Sequence, residues 1–188
     1  YMDSDLTLDF IIIIVLIIAN GLFSMTELAI VNAKKRKLEE LAEAGNERAK
    51  KAFELAEHPN DMFSTIQIGI TLVGILTGLY SGATFSGPLE EILTANIPSI
   101  EPYAASVSSF LIVAIITYLS LVIGELVPKR LALNSPEGIA VLVAKPIYWL
   151  SVALKPIVSF LGVSTEFLLK ILGVTVKEEA PVTESEIN

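Results

Sequence analysis

The chain contains no cysteine and only one histidine among its 188 residues. The lack of thiols excludes disulfides, thiolate metal sites and cysteine nucleophiles. His58 precedes a proline in a polar stretch, and we interpret it as a connector residue. Zinc and copper sites depend largely on imidazole and thiolate ligands, so neither is expected here.

Positive charge is missing from most of the chain. All thirteen Lys and Arg residues lie at 34–51 or 129–177, and none lies at 1–33 or 52–128. Clustering of this kind sets the orientation of membrane proteins, with the basic segments on the cytoplasmic side. No basic face remains for a nucleic acid, so we expect no nucleic-acid partner.

Hydrophobic residues make up 53% of the chain, and the mean hydropathy is +0.65. This is too apolar for an ordinary soluble domain. A bilayer core about 30 Å thick needs about 20 apolar residues per helix, and three runs qualify: 8–31, 62–83 and 104–127. With the basic clusters inside, we predict an all-α protein of the plasma membrane with three crossings, the N-terminus outside and the C-terminus cytoplasmic. The N-terminus lacks the basic region of a removable signal peptide.

The region 135–173 contains a rival fourth crossing, within residues 136–172. Lys145–Pro146 and Lys155–Pro156 interrupt this region, with Tyr148 and Trp149 between them. Proline breaks the helical ladder and aromatic residues prefer the membrane interface. We therefore predict cytoplasmic juxtamembrane amphipathic helices here, partly immersed in lipid. A fourth crossing, the alternative, would place the C-terminus outside.

Residues 34–58 have the pattern of a polar helical hairpin. Arg36 and Glu40 have the i,i+4 spacing that supports a helix, and Gly45–Asn46 is suited to end one helix and start the next. Asn60 or Asp61 is expected to cap the second span. Ser135, followed by a proline and an acid, is expected to start a helix.

The domain prediction is a single transmembrane domain over 1–176, followed by a linker at 177–188. Thr183 and Glu186 have the spacing of a capping box, which predicts the start of a further helix.

Polar residues recur at one depth in the predicted spans. An ionisable side chain within a span indicates a functional site by default. By helical rise, Glu125 lies about 6 Å inside the cytoplasmic edge, and Ser24 and Glu27 lie about 10–15 Å inside. Hydroxyl, amide, carboxylate and carbonyl oxygens are ligands for Mg²⁺, Ca²⁺ or Na⁺. The same polar band includes Asn20, Ser64, Gln67, Thr71 and Ser120.

The stretch around Glu125 has a backbone feature of its own. Pro128 lacks an N–H, so the carbonyl of Gly124 loses its helical donor. A freed carbonyl beside a carboxylate is suited to bind a cation, as in the broken helices of transporters.

Structural interpretations of these residues stay open. Glu125 has Lys129 one turn away as an ion-pair partner, and Glu27 is as well explained by contact with the interface or a neighbouring helix. Asn20 and Gln67 are suited to bonds between helices as well as to contact with an ion, and we rank them second as ligands. Ser24 and Ser64 are able to bond to their own helices.

The second span carries a glycine ridge, which we define as Gly74, Gly78 and Gly82. Four-residue spacing of small residues predicts close packing of another helix, and the alternative is that the ridge lines a pore.

Three blocks in this order carry a family resemblance: "FSMTELAIVNAKKRKLEELAEAGNERAKKA" (23–52), "FSTIQIGITL" (63–72) and "GELVPKRLAL" (124–133). They resemble the membrane domain of the CorC/CNNM magnesium transporters. The resemblance implies a homodimer, three membrane helices per subunit with a belt of juxtamembrane helices, and an inward-facing site for largely dehydrated Mg²⁺. The implied ligands are Ser24, Ser64, the Gly124 carbonyl and Glu125, with Ser120 as an addition.

The same resemblance extends to the end of the chain. "VTESEI" (182–187) resembles the start of the cytoplasmic region in which paired CBS domains bind ATP, and those domains are absent from this sequence. The implied activity is secondary transport of Mg²⁺ out of the cytoplasm, with Na⁺ as the coupling ion. The alternative is a membrane anchor or sensor that moves nothing.

An enzyme is not expected. The sequence has no phosphate-binding G-x-x-x-x-G-K and no H-E-x-x-H. No predicted span contains a histidine to activate Ser24, which argues against an intramembrane protease.

Overall fold

The computed structural model describes residues 2–173, and side-chain burial from residue 6 onward. The described part is helical and has no strand. A 3-10 segment (Pro98–Tyr103) precedes α5, and a π-helical segment (Val122–Leu126) joins α5 to α6. The predicted capping box at Thr183 lies outside the described residues. The α-helices are α1 (Met2–Asn32), α2 (Lys35–Glu43), α3 (Glu47–Glu57), α4 (Pro59–Asn96), α5 (Ala104–Leu121), α6 (Val127–Asn134) and α7 (Pro136–Ile171).

Within residues 2–173, four helical stretches are long and apolar enough to cross a membrane: Leu6–Asn32, Pro59–Asn96, Pro98–Asn134 and Pro136–Ile171. The first three contain the predicted spans at 8–31, 62–83 and 104–127. The all-α membrane class is therefore confirmed. By length and composition, however, the number of candidate membrane helices is four and not three.

The helix α7 is the reason for the difference. It runs without a break from Pro136 to Ile171, with Pro146 and Pro156 inside it. The predicted division into separate amphipathic helices is wrong, because a single missing N–H removes one hydrogen bond and need not end a long apolar helix. All four buried residues of α7 lie in its first third: Ala140, Val143, Ala144 and Ile147.

The predicted polar hairpin is confirmed by α2 and α3. Gly45 has a φ of +92°, a conformation that glycine adopts without strain. The Asn46 Oδ1 accepts hydrogen bonds from the N–H groups of Arg48 (3.0 Å) and Ala49 (3.1 Å), so Asn46 caps α3. On α2, Arg36 Nε donates to Glu40 Oε1 at 3.0 Å, an exposed pair that stabilises the helix only slightly.

The predicted starts of two other helices are partly correct. The helix α7 follows Ser135 as predicted, although the serine side chain makes no capping hydrogen bond. The helix α4 begins at Pro59 with His58 at the N-cap, instead of at Asn60 or Asp61. Proline at the first helical position explains the earlier start, since its fixed φ suits the helix and its missing N–H needs no partner.

A hydrophobic cluster joins the end of α1 and the start of α4 to the hairpin, α6 and the first third of α7. Half of its buried members are alanines, and such small side chains let the helices approach closely. The cluster fixes the hairpin against the end of α1 and the start of α4. Its buried members are Ala29, Ile30, Ala33, Leu38, Ala52, Leu55, Ala56, Met62, Ile66, Ala132, Ala140, Val143, Ala144 and Ile147.

Lys51 strengthens the contact between α3 and α7. Its Nζ lies 2.8 Å from Glu54 Oε2 and 3.7 Å from the centre of the Tyr148 ring. The hydrogen bond to Glu54 raises the pKa of Lys51 above its ordinary value, although desolvation opposes this shift. A polar helix is thereby attached to the apolar α7.

The glycine ridge is not packed within the chain. A Cβ built on any of its three members meets no described atom within 4 Å. The close approach of α1 and α4 occurs instead at Gly69, where a Cβ would lie 2.5 Å from the Phe23 ring. The ridge is therefore open to a partner outside this chain or to lipid.

We predict that Asn46→Ala lowers the free energy of unfolding by about 1 kcal/mol, because two N–H groups of α3 lose their acceptor. Denaturant titration in detergent, followed by circular dichroism, measures the change. Asn46→Ser, which keeps a capping oxygen, is the control and should remain near the wild-type value. Equal stability of Asn46→Ala and wild type would contradict the capping role.

Candidate cation site

The helical ladder widens after α5 into the π-helical segment. There the N–H of Val127 donates to the carbonyl of Val122, five residues earlier. Pro128 gives the physical reason, since it has no N–H to complete an α-helical bond to Gly124. Widened turns of this kind are frequent at functional sites. The irregular backbone lies at the residues that the sequence singles out.

Asn20 compensates for the missing donor. Its Nδ2 donates to the Gly124 carbonyl at 3.0 Å, across 104 residues of sequence. The expectation that this carbonyl is free is therefore corrected: it accepts one hydrogen bond from α1. A carbonyl oxygen has two lone pairs, so a second acceptor position remains.

Two glycines allow α1 to contact the π-helical segment closely. A Cβ on Gly21 would lie 2.9 Å from Pro128 Cγ and 3.3 Å from the Ile123 carbonyl oxygen. A Cβ on Gly124 would lie 3.2 Å from both Asn20 Nδ2 and the Ile17 carbonyl oxygen. Side chains at either position would separate the two helices and break the hydrogen bond from Asn20.

The second polar atom of Asn20 is left without a partner. Its Oδ1 is buried and has no hydrogen-bond partner among the described residues. A buried polar atom without a partner costs roughly 1–3 kcal/mol, and native proteins rarely leave one unless a water or an ion fills the position. This oxygen is therefore available to a ligand at the contact between α1 and the π-helical segment.

Ser24 and Thr26 continue this part of α1 and are both buried. The Thr26 hydroxyl donates to the Leu22 carbonyl at 2.6 Å, so it is satisfied within its own helix. Ser24 follows Asn20 by four residues, which places the two on one face of α1. The predicted ligand Ser24 therefore lies on the same helix face as Asn20, whose amide donates to the Gly124 carbonyl.

Glu125 is in an ion pair. Its Oε1 lies 2.7 Å from Lys129 Nζ, one turn later, and 40% of the Glu125 side chain is exposed. The ion pair with Lys129, which the sequence suggested as the structural interpretation of Glu125, is therefore present. The exposure leaves the carboxylate within reach of an ion from outside the protein.

Ser64 lies in different surroundings. It lines a groove of about 740 Å³ between α4 and α7, together with Glu27 and Gln67. Ser24, Gly124 and Glu125 do not line this groove. Gln67 Nε2 donates to Thr71 Oγ1 at 3.3 Å, so both side chains have a partner.

Ser120 is half-buried, one turn before Gly124 at the end of α5. The structure thus places Ser24, Gly124 and Glu125 on elements in contact and Ser64 in a separate groove. That all five predicted residues bind one ion stays a prediction.

The structure confirms the interpretation of Asn20 as a residue that bonds between helices. An asparagine one turn before Ser24 in an otherwise apolar run is a signal, but its partner is far away in sequence. Within residues 2–173 no group of three or more His, Asp or Glu side chains is arranged to hold a metal. Near Asn20 the structure offers mainly neutral oxygens, with Glu125 as the adjacent carboxylate.

We predict that Gly21→Ala lowers the melting temperature in detergent, since overpacking against Pro128 typically costs about 1–3 kcal/mol. Fluorescence of Trp149 or circular dichroism measures the transition. Gly162→Ala is the matched control, because a Cβ there meets no described atom within 4 Å. It should melt at or above the wild-type temperature, as alanine favours a helix. A Gly21→Ala protein as stable as wild type would contradict the close contact.

Comparison with known proteins identifies the family. The model of the cyclin M (CNNM) transmembrane N-terminal domain matches residues 11–188. The UPF0053 protein sll0260 of Synechocystis is 50% identical over 185 residues, which cover 98% of this chain and 41% of that protein. The UPF0053 protein YugS of Bacillus subtilis is 33% identical over 183 residues, which cover 96% and 42%.

A more distant relative has a functional name. The polyamine export protein of Escherichia coli K12 is 28% identical over 177 residues, which cover 94% of this chain and 39% of that protein. The chain thus spans about two-fifths of the length of these relatives. Because the family model matches almost the whole sequence, the chain belongs to the CNNM transmembrane-domain family.

Proposed function

We propose that the chain is the membrane part of a secondary transporter that moves Mg²⁺ out of the cytoplasm, coupled to Na⁺ entry. The observation that carries the proposal is the buried Asn20 Oδ1, which has no hydrogen-bond partner among the described residues. The same amide group donates a hydrogen bond to the carbonyl of Gly124, the residue before Glu125. Membership of the CNNM family supports a transport role in the membrane over an enzymatic one.

The donor atoms suit a hard cation. Mg²⁺ prefers six oxygen ligands at about 2.0–2.1 Å and gives up its water reluctantly. Asn20 Oδ1, the second lone pair of the Gly124 carbonyl and the Glu125 carboxylate would replace part of its water shell. Ser24 would add a hydroxyl from the same face of α1 as Asn20. Ser64 and Ser120 are the further ligands that the family resemblance implies.

The contacts of α7 support three crossings with the cytoplasmic side at the hairpin. The first part of α7 packs on α3, a polar helix that is unsuited to lipid, and Lys51 on α3 lies against Tyr148. Lys145 and Lys155 are exposed along α7, and a lysine at the centre of a bilayer costs about 2.5–3.5 kcal/mol. We therefore propose that α7 lies along the cytoplasmic surface of the plasma membrane, with its lysines reaching the interface.

The proposed assembly is a homodimer with further domains in the full-length protein. The open glycine ridge on α4 supports close packing against a second copy, since small residues let membrane helices approach. The chain covers about two-fifths of the length of its relatives. In this proposal, the paired CBS domains that bind ATP lie in the part of the full-length protein outside this segment.

Export needs an energy source. Moving a dication outward against the membrane potential costs about 4.6 kcal/mol per 100 mV. A coupled inward flow of Na⁺ would supply this energy.

Polyamine export is the second candidate function, because four relatives at 27–28% identity are named polyamine export proteins. Polyamines are organic polycations, whose ammonium groups need hydrogen-bond acceptors. The site around Asn20 offers several oxygens but one carboxylate. This donor set fits a small dehydrated metal ion better than a chain of ammonium groups.

We predict that Glu125→Gln abolishes Mg²⁺ flux in proteoliposomes, because the site loses its only negative charge. A fluorescent Mg²⁺ indicator inside the vesicles measures the flux. Glu43→Gln, at an exposed position on the hairpin, is the control and should transport at the wild-type rate.

Three results of this assay would contradict the proposal. Unchanged flux in Glu125→Gln would remove the carboxylate from the mechanism. Wild-type vesicles that move radiolabelled spermidine but not Mg²⁺ would support polyamine export instead. Wild-type vesicles that move neither would support the anchor or sensor alternative.

A further inference from the structure

The carboxylate of the proposed site already has a cation bound to it. Lys129 Nζ lies 2.7 Å from Glu125 Oε1, and the two side chains are 33% and 40% exposed. A metal ion on Glu125 would lie about 2.1 Å from a carboxylate oxygen. A metal ion and an ammonium on the same carboxylate would repel each other and compete for its lone pairs, so the binding of one weakens the binding of the other.

We propose that Lys129 is an internal competitor for the site: its ammonium binds Glu125 when the site is empty and must leave before Mg²⁺ binds. This inference rests on the proposed function, since it assigns a role to a second residue of the same site. Lys129 then sets the affinity for the ion without being one of its ligands.

The surroundings of Lys129 allow this exchange. Lys129 is on α6, one helical turn beyond Glu125, and a third of its side chain is exposed. Its flexible four-carbon stem allows the ammonium to move toward the interface while the stem stays on the protein surface. Displacement therefore requires a change of side-chain rotamer and no movement of the helix.

A competitor of this kind would assist a transporter in two ways. A tightly bound dication is released slowly, and an empty site with a bare carboxylate is costly wherever lipid or protein replaces water. When Lys129 returns to Glu125, it lowers the affinity for the departing ion and neutralises the empty site. Both effects favour release and the return of the empty transporter.

We predict that Lys129→Gln lowers the dissociation constant for Mg²⁺ about five-fold or more. This factor corresponds to about 1 kcal/mol, the value of a partly exposed ion pair. Isothermal titration calorimetry of the purified protein with MgCl₂ measures the dissociation constant. Arg130→Gln is the matched control: it removes a neighbouring exposed charge and leaves the pair intact, so its affinity should stay within two-fold of wild type. Lys129→Arg keeps the positive side chain, so it should bind Mg²⁺ more weakly than Lys129→Gln does.

A measurement on the unaltered protein does not depend on the folding of any variant. Acetylation of lysines by a water-soluble ester, read by mass spectrometry, should increase at Lys129 when Mg²⁺ is added, because the ammonium is released from Glu125. Lys35, an exposed lysine on α2, is the internal control and should not change. Constant or reduced labelling of Lys129 at saturating Mg²⁺ would overturn the inference.

Glu125→Gln separates this inference from the proposed function. Loss of Mg²⁺ binding in Glu125→Gln together with unchanged or weaker binding in Lys129→Gln would overturn the competitor role and leave the cation site standing. Full Mg²⁺ binding in Glu125→Gln would overturn the site itself.

Discussion

The hydrogen bond from Asn20 to the Gly124 carbonyl is the interaction on which the site depends. Lipid offers no water to a backbone carbonyl that lacks its helical donor, so the protein must supply a partner. Asn20 does so at 3.0 Å, and Gly21 provides the space for the approach. One short contact thereby joins α1 to the π-helical segment and leaves Asn20 Oδ1 buried without a partner among the described residues.

The features near this contact have a common origin in Pro128. Its missing N–H widens the helix and leaves the Gly124 carbonyl open to a donor from α1. The next residue, Lys129, pairs with Glu125. A single irregular turn therefore brings together a backbone oxygen, a carboxylate and the lysine that pairs with this carboxylate. The α2–α3 hairpin and the hydrophobic cluster hold the adjoining ends of the long helices near this turn.

Local features of the fold were predictable from the sequence, and distant pairings were not. The hairpin followed from neighbours such as Gly45 and Asn46, whose roles depend on a few adjacent residues. The irregular backbone at Gly124 followed from Pro128 in the same way. The partner of Asn20 lies 104 residues away, and no local pattern specifies it. The prolines of α7 are a different case, because each removes one hydrogen bond without ending the helix, which continues to Ile171.

The most direct measurement of the central claim is the position of a bound ion. A crystal structure with Mn²⁺ in place of Mg²⁺, analysed for anomalous scattering, locates such an ion without ambiguity. Our account predicts a peak in direct contact with the Glu125 carboxylate and Asn20 Oδ1, with the Lys129 ammonium moved away. A peak elsewhere, or an occupied site in which Lys129 still pairs with Glu125, would contradict it.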